Sequence, residues 1–153
     1  LEKLFLDNNW TDKLPIVLPT EERVGAMLSG TSQKPNKEVG RMRPTSTREA
    51  WSYTVEKVAI NAVMAGADPK YFPVILALAA TQVSARASTT SSAATMAVVN
   101  GPIRKEIGMN WGIGAMGPYN HPNATIGRGL WAAFSKSPGW VAPRSYLPWV
   151  PRQ

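Results

Sequence analysis

Between Tyr71 and Ala80 the chain runs Tyr-Phe-Pro-Val-Ile-Leu-Ala-Leu-Ala-Ala, and from Val74 onward every side chain is apolar. A stretch of that kind has no wet face, so it predicts a helix buried all round and central to the fold. Asp68-Pro69 ahead of it predicts a cap followed by a first-turn proline. Pro73 would remove an interior hydrogen bond, which puts the start of the regular helix near that residue. An enclosed helix needs other elements to enclose it. With 153 residues, 44% apolar and 18% charged, the chain has the size of one domain and enough apolar material for a core.

The surrounding elements follow from caps and periodicity. Leu1 to Asn8 predicts a short packing helix. Leu14 to Pro19 is apolar but bounded by prolines, so it predicts an extended segment outside any central strand. Thr20-Glu21-Glu22 opens a second helix, the hydroxyl capping a free N–H and the carboxylates facing the positive end of the dipole. Val24, Met27 and Leu28 form its stripe and Gly30 its stop. Residues 31–50 lack any period and predict a long loop. Thr54 to Ala65 is the clearest helix, with Val55, Val58, Ala59, Ala62 and Val63 on one face and Gly66 behind it. Residues 84–95 are small and hydroxylic, which predicts a surface or cleft-lining segment. Thr95 to Val99 predicts a short buried strand, continued by Ile103 to Ile107 after a kink at Asn100-Gly101-Pro102. Asn123 predicts the cap of a last helix through Phe134. Beyond Pro138 the interleaving of Trp140, Tyr146 and Trp149 with prolines excludes a helix and predicts an extended tail, packed on its own domain or on a partner. The fold class expected is α+β: a domain over 1–137 with several helices and a small sheet, then the tail at 138–153.

Composition narrows the chemistry. There is no Cys, so a disulfide framework, a thiolate metal site and a cysteine nucleophile are excluded. The one histidine, His121, excludes a multi-histidine metal centre. The formal charge of +7 raises polyanions and acidic partners as targets. Its one concentration, Lys34, Lys37, Arg41, Arg43 and Arg48, is broken by Glu38 and Glu49, which fits a solvated loop or a small phosphate or partner patch. No recognition motif or clustered basic–aromatic alternation accompanies it, so nucleic acid is not the expected partner. No apolar run reaches a membrane-spanning length and no basic-then-apolar leader is visible, so the expectation is a cytoplasmic protein without a membrane partner.

The strongest constellation lies between Asn100 and Arg128. Four glycines in Gly108 to Gly117 permit close approach of backbone to a ligand, the following helix N-terminus offers free N–H groups, and an arginine can grip a carboxylate or phosphate with two parallel bonds. Arg104, Asn110, Asn123 and Arg128 are the expected substrate-binding residues, for a small polar or anionic molecule. His121 is the catalytic candidate because its side chain titrates near neutral pH; the alternative is a structural loop histidine. Gly112-Ile113-Gly114-Ala115-Met116-Gly117 fits G-x-G-x-x-G, but Pro118 and Pro122 delay the helix and no acidic residue lies at the spacing a dinucleotide site requires. The cofactor is left open, and no metal site is expected.

Several ordered segments carry a family resemblance: Trp10 to Pro15 with Pro19 to Val24, then Val55 to Gly66, Tyr71 to Val74, Val99 to Asn110, and Asn123 to Arg128. Over about 10–129 the chain resembles the N-terminal half of a poorly characterised bacterial family found beside, or fused to, selenocysteine-Gly-Ser-Cys (UGSC-type) proteins. Two departures stand out. Ala65-Gly66-Ala67 replaces the family's Ala-Gly-Cys, which removes any thiol role there, and the family's chains continue into a further sheet-forming half. The resemblance therefore implies a companion subunit that covers the apolar helix and the tail. The expectation is a subunit of a bacterial hetero-oligomeric enzyme, of lyase or hydrolase type, whose cleft in the 100–128 region is completed at a subunit interface. The alternative is a non-catalytic structural or regulatory subunit supporting a catalytic paralogue.

Overall fold

The computed structural model of the chain describes residues 2–7, 14–42, 51–82, 96–117 and 119–133. They form an α+β arrangement of six α-helices and one two-stranded antiparallel sheet. The tail at 138–153, the hydroxylic segment at 84–95, and Arg43, Arg48 and Glu49 of the basic stretch lie outside the described residues.

Helix α1 spans Glu2–Asp7 and buries Phe5. The extended segment after Leu14 is pinned by the Val17 amide donating to the Met64 carbonyl at 3.2 Å. Thr20 then caps α2, Glu21–Leu28, its hydroxyl accepting from the Arg23 amide at 3.4 Å. The end of α2 packs so closely that a Cβ on Gly30 would stand 2.5 Å from the Pro69 carbonyl.

Residues 31–50 are not the continuous loop that their lack of period predicts. Glu38–Met42 is strand β1 and Trp51–Thr54 strand β2, paired Glu38 with Thr54, Gly40 with Tyr53, Arg41 with Ser52 and Met42 with Trp51, with a bulge between Glu38 and Gly40. The bulge breaks the alternation by which a strand is read locally. Gly40 is needed for its packing, because a Cβ there would meet the Tyr53 hydroxyl at 2.5 Å. Within the basic stretch Arg41 is bound to Glu38 at 2.7 Å.

Helix α3, Val55–Met64, starts at the Thr54 cap and closes at Gly66, whose φ of +81° is open to glycine at little cost. Eight of its ten residues are buried. It packs against α2, α6, β2 and α4, and is the centre of the core. A turn of 3-10 helix, Pro69–Tyr71, leads into α4, Phe72–Ala80. Asp68 precedes that turn without a side-chain capping bond, and instead lies 3.5 Å from Lys70. Helix α4 begins beside Pro73 as expected and buries Phe72, Val74, Ile75, Leu76 and Ala79. It is not enclosed all round. Pro73, Ala77 and Ala80 remain exposed and, with Leu76, Lys37 and Glu38, line an open recess of about 290 Å³.

The strand expected over Thr95 to Val99 is absent from 96–99, which carry no regular structure, and Ile103–Glu106 is a short helix, α5, instead of its continuation. Ile107 completes a turn by donating to the Ile103 carbonyl at 3.0 Å and is buried. The last helix, α6, spans His121–Ala133 and packs on α3 and α4. Phe134, the expected end of that helix, is outside the described residues. No helix among the described residues is long and apolar enough to cross a membrane.

Candidate functional site

The glycine-rich loop between α5 and α6 is held by asparagines. The Asn110 side chain closes its tip, Oδ1 accepting from the Gly112 amide at 3.0 Å and Nδ2 donating to the Ile113 carbonyl at 3.0 Å. Asn123 clamps both sides of it: its Oδ1 accepts from the Asn110 amide at 3.2 Å, and its Nδ2 donates to the Asn110 and Ala115 carbonyls, each at 2.9 Å. Asn123 is therefore not the cap of α6. That place belongs to Asn120, whose Oδ1 accepts from the Asn123 amide at 3.2 Å while its Nδ2 reaches the Gly108 carbonyl at 3.0 Å. The helix starts three residues earlier than expected because Asn120, not Asn123, meets a free N–H, and Pro122 sits in the first turn, where its missing donor costs nothing.

His121 stands at the first position of α6 with an exposed side chain, its Nδ1 3.3 Å from the hydroxyl of buried Tyr71. The two rings lie 5.8 Å apart at 55°, and the Lys70 ammonium is 5.4 Å from the Tyr71 ring centre. The contact with the Tyr71 hydroxyl engages Nδ1 and fixes the orientation of the imidazole ring.

Arg104, on α5, lays its guanidinium 4.6 Å from the Trp111 ring centre. Its Nε is buried and has no hydrogen-bond partner among the described residues. Stacking on the indole holds the fork in place and leaves N–H groups for an anion. Arg128 is half-buried further along α6. Four of the five expected site residues thus fall into three separate contacts: Asn110 with Asn123, His121 with Tyr71, and Arg104 with Trp111. Tyr71, Trp111 and Asn120 were not among the expected site residues. Pro122, so close behind Asn120, is the sequence signal that marked the cap.

Ala67 is partly buried against the core. Among the described residues no three of His, Asp and Glu gather as a metal site would need. Comparison with protein families, with curated proteins and with solved structures finds no match to this chain.

Proposed function

We propose that this chain is a subunit of a bacterial hetero-oligomeric enzyme related to the UGSC-associated family, binding a small polar or anionic substrate in the 100–128 region at a subunit interface. The observation that carries the reading is Arg104: a charged donor with a buried, unpartnered Nε, braced on Trp111. Leaving such a donor unpaired costs roughly 1–3 kcal/mol or more, and an anion paired with the outer N–H groups of the same guanidinium offsets it. In this reading His121, tied to Tyr71, is the acid–base group of a lyase or hydrolase reaction, and Arg128 is a further substrate-binding residue. The companion subunit covers the open face of α4.

Calorimetric titration of the purified chain with inorganic phosphate and with malonate tests this. Saturable binding weakened by about tenfold or more in Arg104→Met, as expected for a charge-assisted contact, supports the reading. Binding that is absent, or unchanged by the substitution, overturns it.

A second reading is a structural or regulatory subunit beside a catalytic paralogue. It is favoured by Asn110 and Asn123, whose side chains are wholly engaged in holding the loop, and by Ala67 in place of a thiol. A retired site keeps its scaffold while losing its reactive groups.

A further inference from the structure

Asn100-Gly101 is the one Asn-Gly pair in the sequence. Such a pair carries chemistry of its own, because the backbone nitrogen of the second residue can attack the side-chain Cγ of the first and close a five-membered ring. Glycine hinders that attack least, having no Cβ. In a folded protein the reaction has three requirements. The asparagine is open to water, its side chain is not held elsewhere, and the attacking N–H is not committed to a hydrogen bond.

Asn100 meets all three. It is exposed, in a segment without regular structure just ahead of α5. Among the described residues neither its side chain nor the Gly101 amide has a hydrogen-bond partner. Gly101 stands at φ +93°, with nothing within 4 Å of the place a Cβ would take, so the space around the ring closure is open. The other described asparagines each fail a requirement. Asn36 is exposed, but the Lys37 amide behind it donates to the Lys34 carbonyl at 3.0 Å. Asn61 is buried in α3, its Nδ2 donating to the Lys57 carbonyl at 2.8 Å. Asn110, Asn120 and Asn123 have both ends of their side-chain amides bonded around the glycine-rich loop.

We infer that Asn100 is a site of spontaneous deamidation, and that the native fold directs this modification to Asn100 and away from the loop asparagines. The Gly101 nitrogen gives its proton to hydroxide and bonds to Asn100 Cγ, the bond from Cγ to Nδ2 breaks, and ammonia leaves. Water then opens the succinimide at either carbonyl, its hydroxyl going to the carbon and its proton to the nitrogen. The products are aspartate and β-linked isoaspartate. Each places a carboxylate ahead of Arg104 and Lys105 of α5, and the β-linked product adds a main-chain carbon at the entry to that helix.

The test incubates the folded wild type, the folded Asn100→Gln variant and the wild type in urea, in neutral and mildly alkaline buffer. Circular dichroism establishes that both proteins are folded at the start. Mass spectrometry of peptides reads the replacement of NH2 by OH at each asparagine, and labelling by isoaspartate methyltransferase with S-adenosylmethionine marks the β-linked product. The expected result is conversion at Asn100 in the folded wild type, faster in the alkaline buffer and ahead of every other described asparagine. Asn110, Asn120 and Asn123 convert only in urea, where their bonds are lost. Asn100→Gln, which would have to close a six-membered ring, loses the methyl label from that peptide. An Asn100 that keeps its amide in the folded chain overturns the inference, whether or not urea releases it. So does conversion of the loop asparagines as fast as Asn100 in the folded chain, or a methyl label that persists in that peptide of Asn100→Gln.

Discussion

Tyr53 shows how one buried polar atom ties the small sheet to the helices. Its hydroxyl donates to the Ala79 carbonyl at 2.8 Å, and the close passage of Gly40 closes over it. Burial pushes the phenol above its ordinary value, because a phenolate would have to be desolvated. In the unfolded chain a tyrosine loses its proton near pH 10. Above that pH the unfolded state binds fewer protons than the folded one, so stability falls as pH rises towards the folded-state value. Tyr53→Phe removes this titration. Below pH 10 the variant should be less stable than wild type by roughly 0.5–1.5 kcal/mol for the lost hydrogen bond. The gap should narrow above pH 10, read from urea unfolding of both proteins across that range. A gap of constant size would mean that the hydroxyl ionises equally in both states. None of this is legible in the sequence, since nothing local to Tyr53 points to Ala79.

At the level of elements, what the sequence showed depended on how local the deciding contact is. The caps of α2 and α3 were legible because a threonine oxygen and the amide three residues on settle them alone. Asp68 has the same appearance in the sequence, but its carboxylate lies beside Lys70 and makes no cap bond. The pair gives a prediction. Thr54→Ala should cost about 1 kcal/mol, and Asp68→Ala within about 0.5 kcal/mol of zero, as for an exposed ion pair. Equal losses in denaturant unfolding would contradict the assignment of the caps. Strand β1 was illegible for the opposite reason: its pairing is with residues beyond a long connection, and the bulge at Val39 disrupts its alternation. Ile103 to Ile107 is too short an apolar run for periodicity to separate strand from helix, and Pro102 at its start fits the first turn that formed. In the candidate site the residue types were legible and the partnerships were not. Asn120 and Asn123 both suit a cap by residue type; Pro122 in the first turn favours Asn120, and the return of the loop to α6 makes Asn123 the clamp.

At the scale of the molecule, the charge of +7 opposes any association of copies, and salt is the lever that exposes the sign of that effect. The screening length falls from about 30 Å at 0.01 M to about 8 Å at 0.15 M ionic strength. Copies of a chain with this net charge repel one another at low salt whichever surface they meet through. Raising salt over that interval should therefore tighten self-association, seen as a shift of the sedimentation boundary towards the dimer at fixed protein concentration. A chain that binds polyanions through its basic residues behaves oppositely, because counterion release makes such binding weaken steeply with salt. Measuring the dimer fraction and retention on immobilised polyanion at both salt concentrations separates the two. Self-association that weakens with salt would mean that charged pairs hold the copies together.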